Sequence, residues 1–145
     1  MTFTTTKSWQ NYLTLCRTLE KNEIEYQKED KSLSVKCSIV GKDIEQVYWF
    51  SINASKMLIT LYSPLPLKTE KDRIADTALA VCMINHRLKE GSFCLDLAEG
   101  LIYFKMTNSF YETKINDMLF EYMLSAAADT IDEYYPKIKK ISQLV

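Results

Sequence analysis

The stretch from Thr69 to Lys105 constrains the fold most, because it predicts a helix, a glycine stop and a two-stranded hairpin in direct succession. The residues Thr69–Asp72 fit a capping box, so the helix is expected to begin at Thr69. Every residue from Ala78 to Ile84 is apolar, which indicates a helix buried on more than one side. Gly91 supplies the left-handed conformation that ends such a helix. The second buried side predicts contact with another helix of the chain or with a partner subunit.

The residues before this stretch predict one helix and an antiparallel meander. Ser8 is expected to begin and cap the helix, which ends near Asn22. The short polar turns that follow favour antiparallel neighbours. The predicted strands are Ile24–Lys28, Leu33–Ile39, Val47–Ala54 and Met57–Tyr62. The proline-rich segment Ser63–Lys68 is interpreted as a connector to the central helix.

The residues after the central helix predict a hairpin and a last helix. The hairpin strands are Phe93–Leu97 and Leu101–Lys105, and the last helix begins at Asn116 and breaks or kinks at Pro136. The order is therefore helix, four strands, helix, two strands, helix, which is typical of the α+β class. We expect a single domain, residues 1–145, with an antiparallel sheet and helices packed on one face.

Two neighbouring predicted strands, Val47–Ala54 and Met57–Tyr62, carry apolar residues on both of their faces. Antiparallel sheets usually leave one face to water, so part of the outer face is expected to meet a partner. Together with the apolar run Ala78–Ile84, this predicts a symmetric homodimer, because a two-fold contact uses one patch twice. The residues predicted to bind protein are Tyr48, Trp49, Phe50, Ile59, Met83 and Ile84.

Charge and hydropathy exclude some partners. The formal net charge is −1, and no basic stripe predicts a nucleic-acid surface. Residues Met1–Lys7 are polar and lack the apolar core of a signal peptide. No run approaches the length of a membrane-spanning helix. We therefore expect a cytoplasmic protein that contacts neither nucleic acid nor membrane.

The sequence contains no catalytic signature, phosphate-binding loop or cofactor motif. Its four cysteines are in phase with apolar neighbours and are interpreted as reduced core thiols. Cys82 and His86 share one helical face and could be two zinc ligands. A zinc site needs three or four ligands, and Cys94 is the third candidate. Asp96 and Glu99 flank the hairpin turn and are interpreted as a solvated edge and a turn acid. We expect no metal, no cofactor and no enzymatic activity.

Asn85 interrupts the apolar stripe of the central helix. We interpret it as a buried structural amide that hydrogen-bonds the backbone near Gly91 or Phe93. The alternative is a ligand contact, which would make the protein a small-molecule sensor or a cryptic enzyme. Its pocket would then lie near Asn85, His86 and the hairpin Phe93–Lys105.

Three groups of residues resemble the pattern of the YbjN-like family. They are Asn85, Leu88, Gly91 and Phe93, then Asp96, Gly100, Ile102 and Tyr103, then Asp132, Tyr135 and Pro136. That family shares a fold with the type III secretion chaperones and the Tir chaperones. The resemblance implies an open antiparallel sheet with helices on one face, frequent homodimers and no catalytic residues. It favours a protein-binding module, chaperone-like or a regulatory adaptor.

Overall fold

Six antiparallel strands and three α-helices make up the described part of the chain, residues 3–111 and 113–143 of a computed structural model. The predicted α+β class and the predicted order of elements are confirmed. The elements are α1 (Phe3–Lys21), β1 (Tyr26–Glu29), β2 (Ser34–Val40), β3 (Glu45–Asn53), β4 (Leu58–Lys68), a 3-10 turn (Lys71–Arg73), α2 (Ile74–Arg87), β5 (Ser92–Leu95), β6 (Leu101–Ser109) and α3 (Asp117–Ser142).

The sheet is open and runs in the order β1-β2-β3-β4-β6-β5. The first four strands form the predicted meander, in which each strand pairs with the next. After α2, the chain returns as the β5–β6 hairpin, and β6 rather than β5 pairs with β4. β1 and β5 are therefore the two edges of the sheet.

One face of the sheet forms the core with the helices. Along β3, buried and more exposed residues alternate, and Tyr48, Phe50 and Ile52 point inward. α3 packs over this face, where the Phe50 and Phe120 rings meet edge to face with centroids 6.1 Å apart. α1 adds Tyr12, Leu15 and Leu19, all fully buried. The period of two in the strands thus decides which side chains enter the core.

A polar network connects the turn between β2 and β3 to α3. The Tyr48 hydroxyl donates to Gln46 Oε1, and Gln46 Nε2 donates to Asp132 Oδ1 at 2.9 Å. Asp132 Oδ1 also accepts from the backbone N–H of Lys42 at 2.9 Å. Burial, with the nearby charge of Asp132, raises the pKa of Tyr48. The network satisfies the polar atoms that Tyr48 and Gln46 bring into the core.

Two predicted helix caps are wrong. α1 begins at Phe3, so Ser8 lies inside the helix, where it is fully buried and its hydroxyl has no hydrogen-bond partner among the described residues. Thr69 does not cap α2, which begins at Ile74 after the 3-10 turn. The Thr69 N–H instead donates to the carbonyl of Gly100 at 2.8 Å, because the end of β4 docks on the hairpin turn.

The segment Ser63–Lys68 is a strand rather than the predicted connector. β4 continues through both prolines, and Pro64 pairs with Tyr103 of β6. Proline has no N–H to donate to a ladder, and the pairing of β4 with β3 ends at Tyr62. The register with β6 also shifts between Pro64 and Lys68. The prolines therefore interrupt pairing without ending the strand.

The helix ends show a mixed outcome. Asn116 caps α3 as predicted, accepting a hydrogen bond from the Leu119 N–H at 3.2 Å. α3 continues past Pro136 to Ser142, so the proline does not end the helix. α2 ends at Arg87, although Gly91 has the predicted left-handed conformation with φ of 73°. Across residues 3–111 and 113–143, no helix is both long enough and apolar enough to cross a membrane.

We expect Gly91→Ala to destabilise the fold by about 2–4 kcal/mol. A Cβ at this position would clash with the Phe104 ring and lie 2.9 Å from Met106 Cγ, in a backbone conformation that alanine disfavours. Urea unfolding measures the effect, and Lys89→Ala, an exposed change in the same loop, is the control. Equal midpoints for Gly91→Ala and the wild type would contradict this account of the loop.

Candidate functional site

The outer face of the sheet, opposite the helices, carries three aromatic side chains at its centre. Trp49 of β3 pairs with Tyr62 of β4, and Tyr103 of β6 lies beside them. The rings of Tyr62 and Tyr103 have centroids 4.7 Å apart. We call Trp49, Tyr62 and Tyr103 the aromatic row. Trp49 exposes 43% of its surface, and both tyrosines are half-buried.

Two lysines flank the aromatic row in the register of the sheet. Lys36 of β2 pairs with Trp49, and its Nζ lies 5.1 Å from the centre of the indole ring. Lys105 of β6 pairs with Tyr62 on the other side. Cys94 of β5 pairs with Tyr103, and a hydrogen bond between their side chains raises the pKa of the Tyr103 hydroxyl. The row is thus apolar at its centre and basic at two of its borders.

The predicted protein-binding residues divide into two groups. Tyr48, Phe50 and Ile59 occupy strand positions that face the helices, and Ile84 is on the buried side of α2. All four lie in the core and offer no surface to a partner. Trp49 and Met83 are exposed, at 43% and 56% of their surface. The role of these two residues in binding stays a prediction.

Asn85 makes the hydrogen bonds that the sequence predicts. Its Nδ2 donates to the carbonyl of Phe93, and its Oδ1 accepts from the Phe93 N–H, both at 2.8 Å. The side chain is half-buried rather than buried. Phe93 lies on the edge strand β5, so the amide of Asn85 occupies the place of a further strand at this point of the edge. The amide joins α2 to the sheet and blocks strand addition there.

The opposite edge of the sheet is also protected against strand addition. β1 has only four residues, and its side chains include the charged Lys28 and Glu29. Short, charged edge strands are a common protection against pairing with other chains. The outer face therefore offers apolar contact where the edges do not.

The residues considered for metal binding do not form a site. Cys82 and His86 are exposed on α2, and Cys94 is half-buried on the outer face. Within residues 3–111 and 113–143, no three His, Cys, Asp or Glu side chains come together as metal ligands. Only Cys16 and Cys37 are buried thiols, and burial raises the pKa of Cys37 to about 11. The prediction of four core thiols is correct for these two.

Asp96, one of the two acids at the hairpin turn, has a structural role. Its Oδ1 accepts from the backbone N–H groups of Ala98 and Glu99, at 2.9 and 3.2 Å. This is the hydrogen bonding of an Asx turn, which fixes the tight connection between β5 and β6. Asp96 therefore stabilises the hairpin turn.

Two concavities of the described surface have linings that do not include Asn85. One of about 690 Å³ lies between the β2–β3 turn and the end of α3, and is lined by Asp43, Ile44, Tyr135, Pro136, Lys139, Lys140 and Gln143. A small one of about 190 Å³ adjoins Trp49 and Lys36. No observation joins Asn85, His86 and the hairpin in a common pocket, so the ligand alternative stays untested.

The family follows from a match over most of the chain. The YbjN model, described as a "Putative bacterial sensory transduction regulator", matches residues 12–140. The chain belongs to the YbjN family. The resemblance seen in the sequence is thus confirmed. A search of curated proteins found no match.

Solved structures with a similar fold include YbjN itself and a secretion chaperone complex. The crystal structure of E. coli YbjN, described as "a putative transcription regulator", is 11% identical, with a TM-score of 0.64 over 87% of this chain and 92% of that one. A chain of the HopA1–SchA chaperone–effector complex is 12% identical, with a TM-score of 0.57 over 94% of this chain and 96% of that one. These likenesses confirm the type III chaperone-like fold of this YbjN-family chain.

Sequence reasoning missed most of the outer face. Tyr62 and Tyr103 were placed on strands, and period two assigns each to a face, but their contact depends on the β4–β6 register. These strands are separated by α2 and β5, so no turn fixes that register locally. The place of Lys105 beside Tyr62 depends on the same register, whereas Lys36 pairs with Trp49 through the local β2–β3 hairpin.

We expect Asn85→Leu to lower the stability of the protein by about 1–3 kcal/mol, because leucine leaves the Phe93 N–H and carbonyl without partners. Urea melts of both forms measure the change. His86→Leu, at the exposed neighbouring position, is the control and is expected to unfold near the wild-type midpoint. An Asn85→Leu midpoint equal to that of the wild type would remove the structural role of this amide.

Proposed function

We propose that this YbjN-family protein is a non-catalytic binding module, chaperone-like or a regulatory adaptor, that acts as one domain and binds a segment of another protein across the outer face. The aromatic row is the observation that carries the proposal. Trp49 is exposed at the centre of a rigid sheet, beside two aromatic neighbours that are already ordered. Aromatic side chains that lose their water on binding are frequent hot spots of protein interfaces.

The mode of binding follows from the shape of this surface. An extended or helical segment laid across the strands buries apolar side chains against the row, while both sheet edges stay as they are. The row is held from below by the core residues that alternate with it on the same strands. Little ordering of the protein is therefore needed on binding, which favours affinity.

The comparisons support a role exercised by contact. One protein with a similar fold belongs to a chaperone–effector complex, and the family carries the description of a regulator of sensory transduction. Both descriptions fit a protein that acts by binding. With a net charge of −1, we infer protein partners rather than nucleic acid. The absence of a cofactor and the cytoplasmic location stay predictions.

We further propose that the protein is a homodimer through α2. Leu79 and Met83 expose 63% and 56% of their surface and lie one turn apart on this helix. In an antiparallel contact between two copies, Leu79 lies opposite Met83 of the other copy. The same alignment brings Asp76, which pairs with Arg73 of its own chain, near Arg87 of the other copy. A two-fold axis needs only this one patch.

We expect Trp49→Ala to keep the fold and lose the partner, because the indole is exposed in the free protein and truncation of an anchor costs about 2 kcal/mol or more in binding. Affinity capture from the native host with quantitative mass spectrometry compares the variant with the wild type. Trp9→Ala is the matched control, since Trp9 is exposed to 37% on α1, in the layer of the helices. It is expected to retain the partners that Trp49→Ala loses.

Two results would contradict the proposal. In the first, Trp49→Ala retains every protein that the wild type captures. In the second, Trp9→Ala loses the same proteins as Trp49→Ala. Circular dichroism of both variants accompanies the capture. It separates lost binding from lost folding. Lost folding is the expected outcome for Tyr48→Ala, because Tyr48 is fully buried.

Light scattering at micromolar concentration is expected to give twice the chain mass of 16.9 kDa. Leu79→Glu with Met83→Glu should give the monomer, because two carboxylates in each copy would be buried without partners. Met118→Glu, at an exposed position on α3, is the control and should remain dimeric. A monomeric wild type would exclude the dimer, and a dimeric double variant would move its interface away from α2.

A further inference from the structure

The charges around the aromatic row are not balanced by the protein itself. The ion pairs among residues 3–111 and 113–143 involve Lys21, Lys28 and Arg73, and neither Lys36 nor Lys105 takes part in one. Both lysines are exposed: Lys36 is on β2 beside Trp49, and Lys105 is on β6, the strand of Tyr103, and pairs with Tyr62. Although the chain is slightly acidic, the charged residues paired with its exposed apolar centre are both lysines.

Two acids lie elsewhere on the same face. Glu29 is on the edge strand β1 and lines the concavity beside Trp49, and Glu45 begins β3. Glu45 accepts a hydrogen bond from the Ser38 hydroxyl at 3.0 Å. No strand position paired directly with Trp49, Tyr62 or Tyr103 holds an acid. Lys36 and Lys105 are therefore the charged residues in direct register with the row.

A small concavity next to Trp49 is lined in part by Lys36. Its volume is about 190 Å³, and Glu29, Lys36, Trp49 and Ser34 contribute to its wall. Lys28 also lines it, but its Nζ is 3.7 Å from an Asp30 oxygen. The space suits one side chain of a bound segment, with the indole on one side and the Lys36 ammonium close by.

We propose that the outer face selects protein segments in which an aromatic or aliphatic side chain is flanked by aspartate or glutamate. This inference rests on the proposed function and specifies its partner. The apolar side chain packs on the aromatic row, and the acids pair with Lys36 and Lys105. Complementary charge of this kind contributes mainly specificity and rate of association, while the apolar contact supplies most of the affinity.

Selection from a phage library of random dodecapeptides tests the inference with the full-length protein. We expect the selected peptides to contain an apolar centre with acids on both sides, and to bind Trp49→Ala much more weakly than the wild type. Their binding should also weaken with added salt, as exposed ion pairs do.

Charge reversal at the two lysines supplies the second arm. In Lys36→Glu with Lys105→Glu, the selected acidic peptides should bind roughly tenfold more weakly, as two exposed ion pairs allow. Versions of the same peptides with lysine in place of the acids should bind this double variant more tightly than they bind the wild type. Lys139→Glu with Lys140→Glu, an equal change of charge on α3, should leave the affinities unchanged.

The outcomes separate the inference from the proposed function. Apolar peptides that depend on Trp49 but carry no excess of acids would overturn the inference and leave the function standing. Acidic peptides that are indifferent to the reversal at Lys36 and Lys105 would also overturn it. A selection that yields no peptide dependent on Trp49 would contradict both.

Discussion

The alternation of side chains along β3 is the constraint on which the rest of the structure depends. Tyr48 and Phe50 enter the core and Trp49 points away from it, so one strand serves two surfaces. Burying each of the two core aromatics contributes about 1.5–3 kcal/mol, which strongly disfavours a shift of the strand by one residue. The network through Gln46 and Asp132 gives the inward hydroxyl a partner, which a shifted strand would lose. The exposure of Trp49 is thus a consequence of core packing.

The edges of the sheet complete this division. Asn85 closes one edge at Phe93, and the short, charged β1 protects the other. With strand addition disfavoured at both edges, the outer face is the apolar surface left for the proposed partner segment. α2 has a double role in this arrangement, since it holds β5 through Asn85 and presents Leu79 and Met83 to solvent. The two proposed interfaces therefore use different parts of the chain.

Local signals in the sequence predicted the architecture well. The structural features that were missed depend on tertiary contacts. The period of two and the short turns were enough for the meander, and Asn116 and Asn85 were read from their local surroundings. The capping box at Thr69 fits its pattern but gives way to a backbone bond with Gly100, which lies 31 residues away in sequence. Pro64 and Pro66 were read as breakers, although a strand that lacks one neighbour tolerates them. Leu79, Cys82 and Met83 in the run Ala78–Ile84 are exposed in the single chain, so their burial by a partner subunit stays a prediction.

The central claim, that a partner covers the outer face at Trp49, is tested most directly by the two indole N–H signals of the protein in a proton–nitrogen correlation spectrum. The chain has only two tryptophans, one on each side of the molecule, so each signal reports on one face. On titration with a captured partner segment, the account predicts that the Trp49 signal shifts and the Trp9 signal stays in place. A shift of Trp9 with Trp49 unchanged would place the partner on the helices and contradict the account.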